Sequence, residues 1–263
     1  MQHTDDFLEE VFATHQWVDL SPDDWFAAAI IGAMRTAVND RIRQGTRDRR
    51  PERNLRNDTS GVLAELLVIR QVEQALPSQQ LKYQLLDLQK STDLLDVQMA
   101  ASKAGLEAKS VLLLEKVRRR DFAINKIAAD RSAQRGAMGY IGVLMAMGSR
   151  HALMSKVVPM DEVKAWTLRN YGEYGDPAHA TDLRDFAVRH AGLPSEEKTL
   201  VTMEDYLSRA PMMAPRAIED VYKRAHTIMR VQQKLRETTH ETSVAPELEE
   251  LVRALRSQGQ AVD

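Results

Sequence analysis

Met138–Met147 reads MGYIGVLMAM, a near-continuous apolar run with three small breaks. A strand with one wet face alternates polar and apolar positions, and this one does not. It predicts a central strand buried on both faces. A chain that must cover both sides of such a strand folds into layers of helix and sheet, so the expected class is α/β.

The neighbouring segments supply the layers. Ser21-Pro22-Asp23-Asp24 is a helix start, with Ser as N-cap, Pro at the first position and acids in the first turn. Trp25, Phe26, Ala29, Ile30, Ala33, Met34, Ala37 and Val38 follow it at helical spacing. Residues 5–44 as a whole read as helical, stopping near Gly45, and an Arg-rich loop punctuated by Pro51 follows. Asn57–Ser60 predicts a cap for a helix over Gly61–Leu76, with Val62, Leu66, Ile69 and Val72 inward. Pro77 breaks it, and Leu81–Leu88 reads as a strand. Thr92–Leu114 (TDLLDVQMAASKAGLEAKSVLLL) reads as two strands joined by a turn within Ala100–Gly105. Phe122–Arg135 is expected to be a helix with Phe122, Ile124, Ile127, Ala128 and Ala133 inward, stopped by Gly136. His151–Val158 reads as a further strand and Met160–Trp166 as a helix. Gly172–Ala180 looks like a turn-rich connector. Helices are expected over Thr181–Ala191, Met203–Ser208, Ala214–Glu237 and Ala245–Arg256. The organisation predicted is an N-terminal helical segment (1–57), a core (58–171) and a helical C-terminal extension (172–263).

With 263 residues the chain can bury a sizeable core. No apolar run is long enough to span a membrane, and the acidic N-terminus lacks the layout of a secretory signal. The absence of cysteine removes disulfide and thiolate-metal chemistry and suits a cytoplasmic protein. A net charge of −2 means that attraction to nucleic acid must come from local patches. Arg41–Arg56 holds seven arginines, and Lys116–Arg120 is KVRRR.

In a strand, Glu107 and Lys109 point to one face while Ala108 points to the other. Pairing with the preceding strand brings the carboxylate of Asp93 or Asp96 near them. Carboxylates and an ammonium on one sheet face suit a divalent cation and a phosphate. The tripeptide alone is weak, because Glu-x-Lys also occurs at Glu162/Lys164 and Glu196/Lys198. Only the first copy lies in a strand expected to be buried, follows an Asp across a turn, and is preceded by a helix bearing Glu65. The scattered histidines offer no zinc spacing, and no phosphate-binding loop, dinucleotide fingerprint or nucleophile elbow is present.

GVLAE (Gly61–Glu65), TDLLDV (Thr92–Val97), LEAKS (Leu106–Ser110) and Phe122–Met145 together resemble the PD-(D/E)XK nucleases, the restriction-endonuclease-like superfamily. The resemblance spans residues 58–160 and departs at Thr92, where the motif has proline. It implies an αβββαβ core with a mixed central sheet, and an Mg²⁺-dependent DNA endonuclease in which Mn²⁺ substitutes. By that resemblance Asp93 and Glu107 are metal ligands, Lys109 orients the attacking water, and Glu65 is an auxiliary acid and metal ligand. Asp96 competes with Asp93 for the first role. Arg47, Arg49, Arg50, Arg53, Arg118, Arg119 and Arg120 are expected to track a phosphate backbone, with Asn125 and Lys126 on the following helix. A role in restriction or defence against foreign DNA fits the family. Cutting both strands takes two sites, so a homodimer is expected, and the C-terminal helices could dock a partner protein. The rival reading is a silent nuclease-fold subunit that binds nucleic acid or protein. Each residue alone also has an ordinary explanation: a surface ion pair for Glu107 and Lys109, turn positions for the aspartates, a helix-terminus acid for Glu65.

Overall fold

The computed structural model describes residues 4–42, 51–77, 81–83, 95–102, 104–113, 121–171, 176–193, 212–221 and 223–227. Their order begins α1 (Thr4–Val11), β1 (Gln16–Asp19), α2 (Pro22–Ile42), α3 (Pro51–Ala75), β2 (Leu81–Lys82), β3 (Val97–Met99) and β4 (Gly105–Leu113). It continues with β5 (Asp121–Asn125), α4 (Lys126–Gln134), β6 (Ala137–Ala146), β7 (His151–Met154) and β8 (Val158–Pro159). Last come α5 (Met160–Ala165), β9 (Thr167–Tyr171), β10 (Asp176–Asp182) and α6 (Leu183–Ala191). No helix among these residues is long and apolar enough to cross a membrane.

The chain divides into two compact units. One holds α1, β1, α3 from Ala64 onward, and the elements from β2 to α6. The other holds α2, α3 up to Leu63, and helical residues in 215–221 and 223–227. Both are discontinuous in sequence, so neither coincides with one of the consecutive segments 1–57, 58–171 and 172–263.

In the first unit the described strands form a mixed sheet in the order β1-β7-β6-β4-β3-β2, with β8 also on β6. The β4–β6 pair is parallel and the other pairs are antiparallel. β6 (Ala137–Ala146) takes in all but the last residue of Met138–Met147, and it is buried along almost its whole length and central to the sheet as its composition requires. The hairpin also forms where expected. Its strands lie so close that a Cβ on Gly105 would stand 2.4 Å from the Val97 carbonyl oxygen, so only glycine fits there. A second sheet, β5-β10-β9, packs in the same unit. Arg169 and Tyr171 both donate to the Asp121 carboxylate and so tie β9 to β5 across β10.

One face of β4 and β6 makes the larger core. Val111 and Leu113 are the ladder partners of Leu144 and Ala146, and all four are buried with Phe122, Ile124, Val163 and Phe186. Phe122 and Phe186 stack with centroids 3.9 Å apart, and Trp166 meets Phe122 edge-on. The second unit has its own small core of Ala29, Ala33, Leu55, Val221 and Ala225.

Several expectations are corrected. Gln16–Asp19 is a strand on β7, so the N-terminal region is not helical throughout. Pro51 opens α3 rather than punctuating a loop, which places Asn57–Ser60 inside the helix. There Asp58 accepts from Thr36, and Thr59 and Ser60 are buried, so tertiary packing has taken over residues that cap helices elsewhere. Asp121–Asn125 is a strand, and α4 starts only at Lys126. Ala129 and Ser132 are its buried positions, while Ile127 is 55% exposed and Ala128 also faces out. The supposed connector after Tyr171 contains β10. Gly45, Gln84–Leu88, Met203–Ser208, the later part of Ala214–Glu237, and Ala245–Arg256 lie outside the described residues.

Candidate active site

The β3–β4 register pairs Val97 with Leu106 and Gln98 with Gly105. Asp96 is the next residue outward on β3, so it stands across from Glu107. Its Oδ2 accepts the backbone N–H of Ala108 at 2.8 Å. The carboxylate of one strand is thus fastened to the residue between Glu107 and Lys109 on the next. Asp93 lies outside the described residues.

Strand alternation puts Glu107, Lys109, Val111 and Leu113 on a single face. That face changes character along its length. Its far end is the aromatic and aliphatic core, and its near end is half-buried Glu107 followed by exposed Lys109. The parallel ladder sets Tyr140 beside Glu107 and Gly142 beside Lys109. Gly142 has no side chain because the Phe186 ring occupies that space. The backbone of Lys109 therefore adjoins the position that the Phe186 ring covers, while its side chain is exposed.

Glu107 is held from above by α4. Ser132 Oγ donates to Glu107 Oε1 at 2.7 Å, and the Tyr140 hydroxyl donates to Ser132 Oγ at 3.4 Å. Burial drives the Tyr140 phenol well above its ordinary range, against the Ser132 hydrogen bond, and the charges of Glu107 and Asp96 push it the same way as burial. Both carboxylates therefore act on one buried phenol. Ser132 and Tyr140 were not singled out from the sequence. Their only local marks are a hydroxyl on the buried side of a short helix and one polar atom in an otherwise aliphatic strand.

The remaining expected residues are described only in part. Glu65 is half-buried and belongs to the same compact unit. Because α3 begins at Pro51, Glu65 lies about four turns in, so the helix dipole no longer accounts for it. Asn125 spends its side-chain oxygen capping α4, accepting from Ala128 N–H at 3.2 Å. Lys126 pairs with Asp130 at 2.6 Å, and Lys164 reaches the same carboxylate at 3.9 Å. The Lys126 hydrogen bond is the main reason Asp130 stays below the usual carboxylate range. Arg47, Arg49, Arg50, Arg118, Arg119 and Arg120 lie outside the described residues, and for Arg53 only its place in the α3 backbone is described.

Among the described residues no three His, Asp or Glu side chains form a metal cage by themselves. Two carboxylates do suit Mg²⁺, which commonly takes one or two protein carboxylates and keeps several waters. The chain matches no protein-family model, no curated protein and no solved structure. Fold and site geometry carry the functional argument.

Proposed function

We propose that the chain is an Mg²⁺-dependent endonuclease that hydrolyses phosphodiester bonds in DNA, built on a restriction-endonuclease-like αβββαβ core. The observation that carries this reading is the Asp96 carboxylate fastened to Ala108, across from Glu107 and beside Lys109. In support of that core, the chain runs α3, β2, β3, β4, β5, α4, β6 in sequence, and β4 and β6 are parallel.

In this reading Asp96 and Glu107 hold the cation, with Asp93 and Glu65 as further acids of the same segment and the preceding helix. When bound, Mg²⁺ supplies Lewis acidity and a more acidic water. Lys109 presents a compact ammonium on the face that carries Glu107, where it orients the attacking water and offsets charge gathering on the phosphorus oxygens. The arginine-rich stretches of the sequence, Arg41–Arg56 and Lys116–Arg120, supply positive charge for a phosphate backbone, which makes binding steeply salt-dependent.

The test is plasmid cleavage in Mg²⁺ with EDTA as control, for wild type and Lys109→Ala. Wild type is expected to nick or linearise the plasmid in Mg²⁺ alone. Lys109→Ala should bind DNA equally well and cut at least about 100-fold more slowly, the usual worth of a positioned proton-transfer or charge-stabilising group. If both proteins bind and neither cuts, the chain is a silent nuclease-fold subunit. Absence of salt-sensitive DNA binding overturns the nucleic-acid reading altogether.

A further inference from the structure

We infer that Ser132 and Tyr140 form a hydroxyl relay that positions the Glu107 carboxylate for a divalent cation. The inference rests on the assignment of Asp96 and Glu107 as the cation's carboxylates. Three elements build the relay: Tyr140 from β6, Ser132 from α4 and Glu107 from β4. Tyr140 lies directly beside Glu107 in the ladder, and Ser132 closes the triangle from the helix above.

The direction of the hydrogen bonds decides what the relay does. A phenol has one proton, and here it goes to Ser132 Oγ. The serine hydroxyl can then donate its own proton only elsewhere, and the acceptor is Glu107 Oε1. The Tyr140 proton is directed to Ser132 and the Ser132 proton to Glu107 Oε1, so the chain fixes the rotation of the carboxylate. Ser132 is 4% exposed and Tyr140 5%, so water does not compete for either hydroxyl.

A serine inside a helix ordinarily bonds back to the carbonyl one turn earlier. Ser132 reaches instead to a residue 25 positions away in sequence. Carboxylates that ligate metals are themselves hydrogen-bonded by a second layer of residues, and removal of that layer commonly weakens affinity ten- to a hundredfold. Holding Oε1 from the helix side orients the second oxygen without consuming it.

The experiment measures Mn²⁺ binding by the loss of the free-ion EPR signal, alongside thermal melting, for wild type, Ser132→Ala, Ser132→Thr and Tyr140→Phe. Ser132→Ala should weaken Mn²⁺ roughly tenfold, Ser132→Thr should restore most of the affinity, and Tyr140→Phe should show a smaller loss in the same direction. Tyr140→Phe removes a single oxygen, so it keeps the test alive if the serine variants fold poorly. If wild type binds Mn²⁺ and both Ser132→Ala and Tyr140→Phe bind it equally well, the relay is only a tie between α4 and β4, and the inference fails by itself. If wild type does not bind Mn²⁺, the metal assignment fails and takes the relay with it.

Discussion

Gly142→Ala tests whether the core and the site share one face of β4. A Cβ at Gly142 would lie 2.3 Å from Phe186 Cζ, 2.8 Å from Phe186 Cε1 and 3.1 Å from Phe122 Cε2. Ordinary carbon contacts sit at about 3.5–4.0 Å, so the Phe186 ring must retreat by roughly 1 Å or more. It has nowhere to go. Phe122 stacks on it at 3.9 Å with an interplanar angle of 4°, and Trp166 meets Phe122 edge-on. Overpacking of this kind costs about 1–3 kcal/mol. The stiffer unfolded chain returns about 0.4–1 kcal/mol, leaving an expected net loss between about 0 and about 2.6 kcal/mol in urea unfolding. Phe186→Leu in the same background should relieve the clash, so the double variant should lose less than the sum of the singles by at least about 1 kcal/mol. Strict additivity with Phe186→Leu would show that the ring is not seated over Gly142.

Two further outcomes are expected. His190 is buried with Nε2 3.0 Å from Glu162 Oε1; burial holds its imidazole below the usual range, although Glu162 pulls the other way. The unfolded chain therefore takes up the proton first on acidification. This contribution is complete above the unfolded value of about 6.5 and is lost as pH falls toward the lower folded one. The urea midpoint should drop between about pH 7.5 and pH 5.5, and by less in His190→Gln; an equal drop in both proteins removes His190 from the account. At the start of α2, Ser21 and Asp24 exchange side-chain-to-backbone bonds, Ser21 N–H to Asp24 Oδ2 at 2.8 Å and Asp24 N–H to Ser21 Oγ at 3.2 Å. Ser21→Ala should cost about 1 kcal/mol by urea unfolding, and a loss under about 0.3 kcal/mol would mean that the cap is idle in solution.

What could be read from the sequence follows from how local each signal is. The Ser21 cap, the hairpin turn and the buried β6 run depend on neighbours along the chain, and all three are where the residues predict. The misreadings come from segments whose letters fit two states. Phe122 and Ile124 are both inward at strand spacing and tolerable at helical spacing. Asn125 ends β5 and caps α4 at once, so no turn residue separates the two elements. Pro51 is as good at the first position of a helix as in a loop, and what decides is the packing of Thr59 and Ser60, which the local sequence does not encode. β1 pairs with a strand more than a hundred residues away, and β10 holds its place through β5 and β9 despite residues of low strand preference.

The same distinction runs through the candidate site. Glu107, Lys109 and the two candidate aspartates lie within one short hairpin, so parity relates them; the sequence alone prefers Asp93, which lies outside the described residues, whereas the register sets Asp96 across from Glu107. Ser132 and Tyr140 were not legible, because the β4–α4–β6 crossover brings them in from 25 and 33 residues downstream of Glu107. The consequence is a constraint on evolution and on design alike. A strand has two faces and a period of two, so a one-residue slip in β4 would carry Glu107 and Lys109 to the opposite face together with Val111 and Leu113. The core cannot accept that exchange, since Leu144, Ala146 and Phe186 pack against those two residues' face. Burial of the apolar half of β4 thereby fixes the orientation of its charged half, with no stabilisation required from the charges themselves.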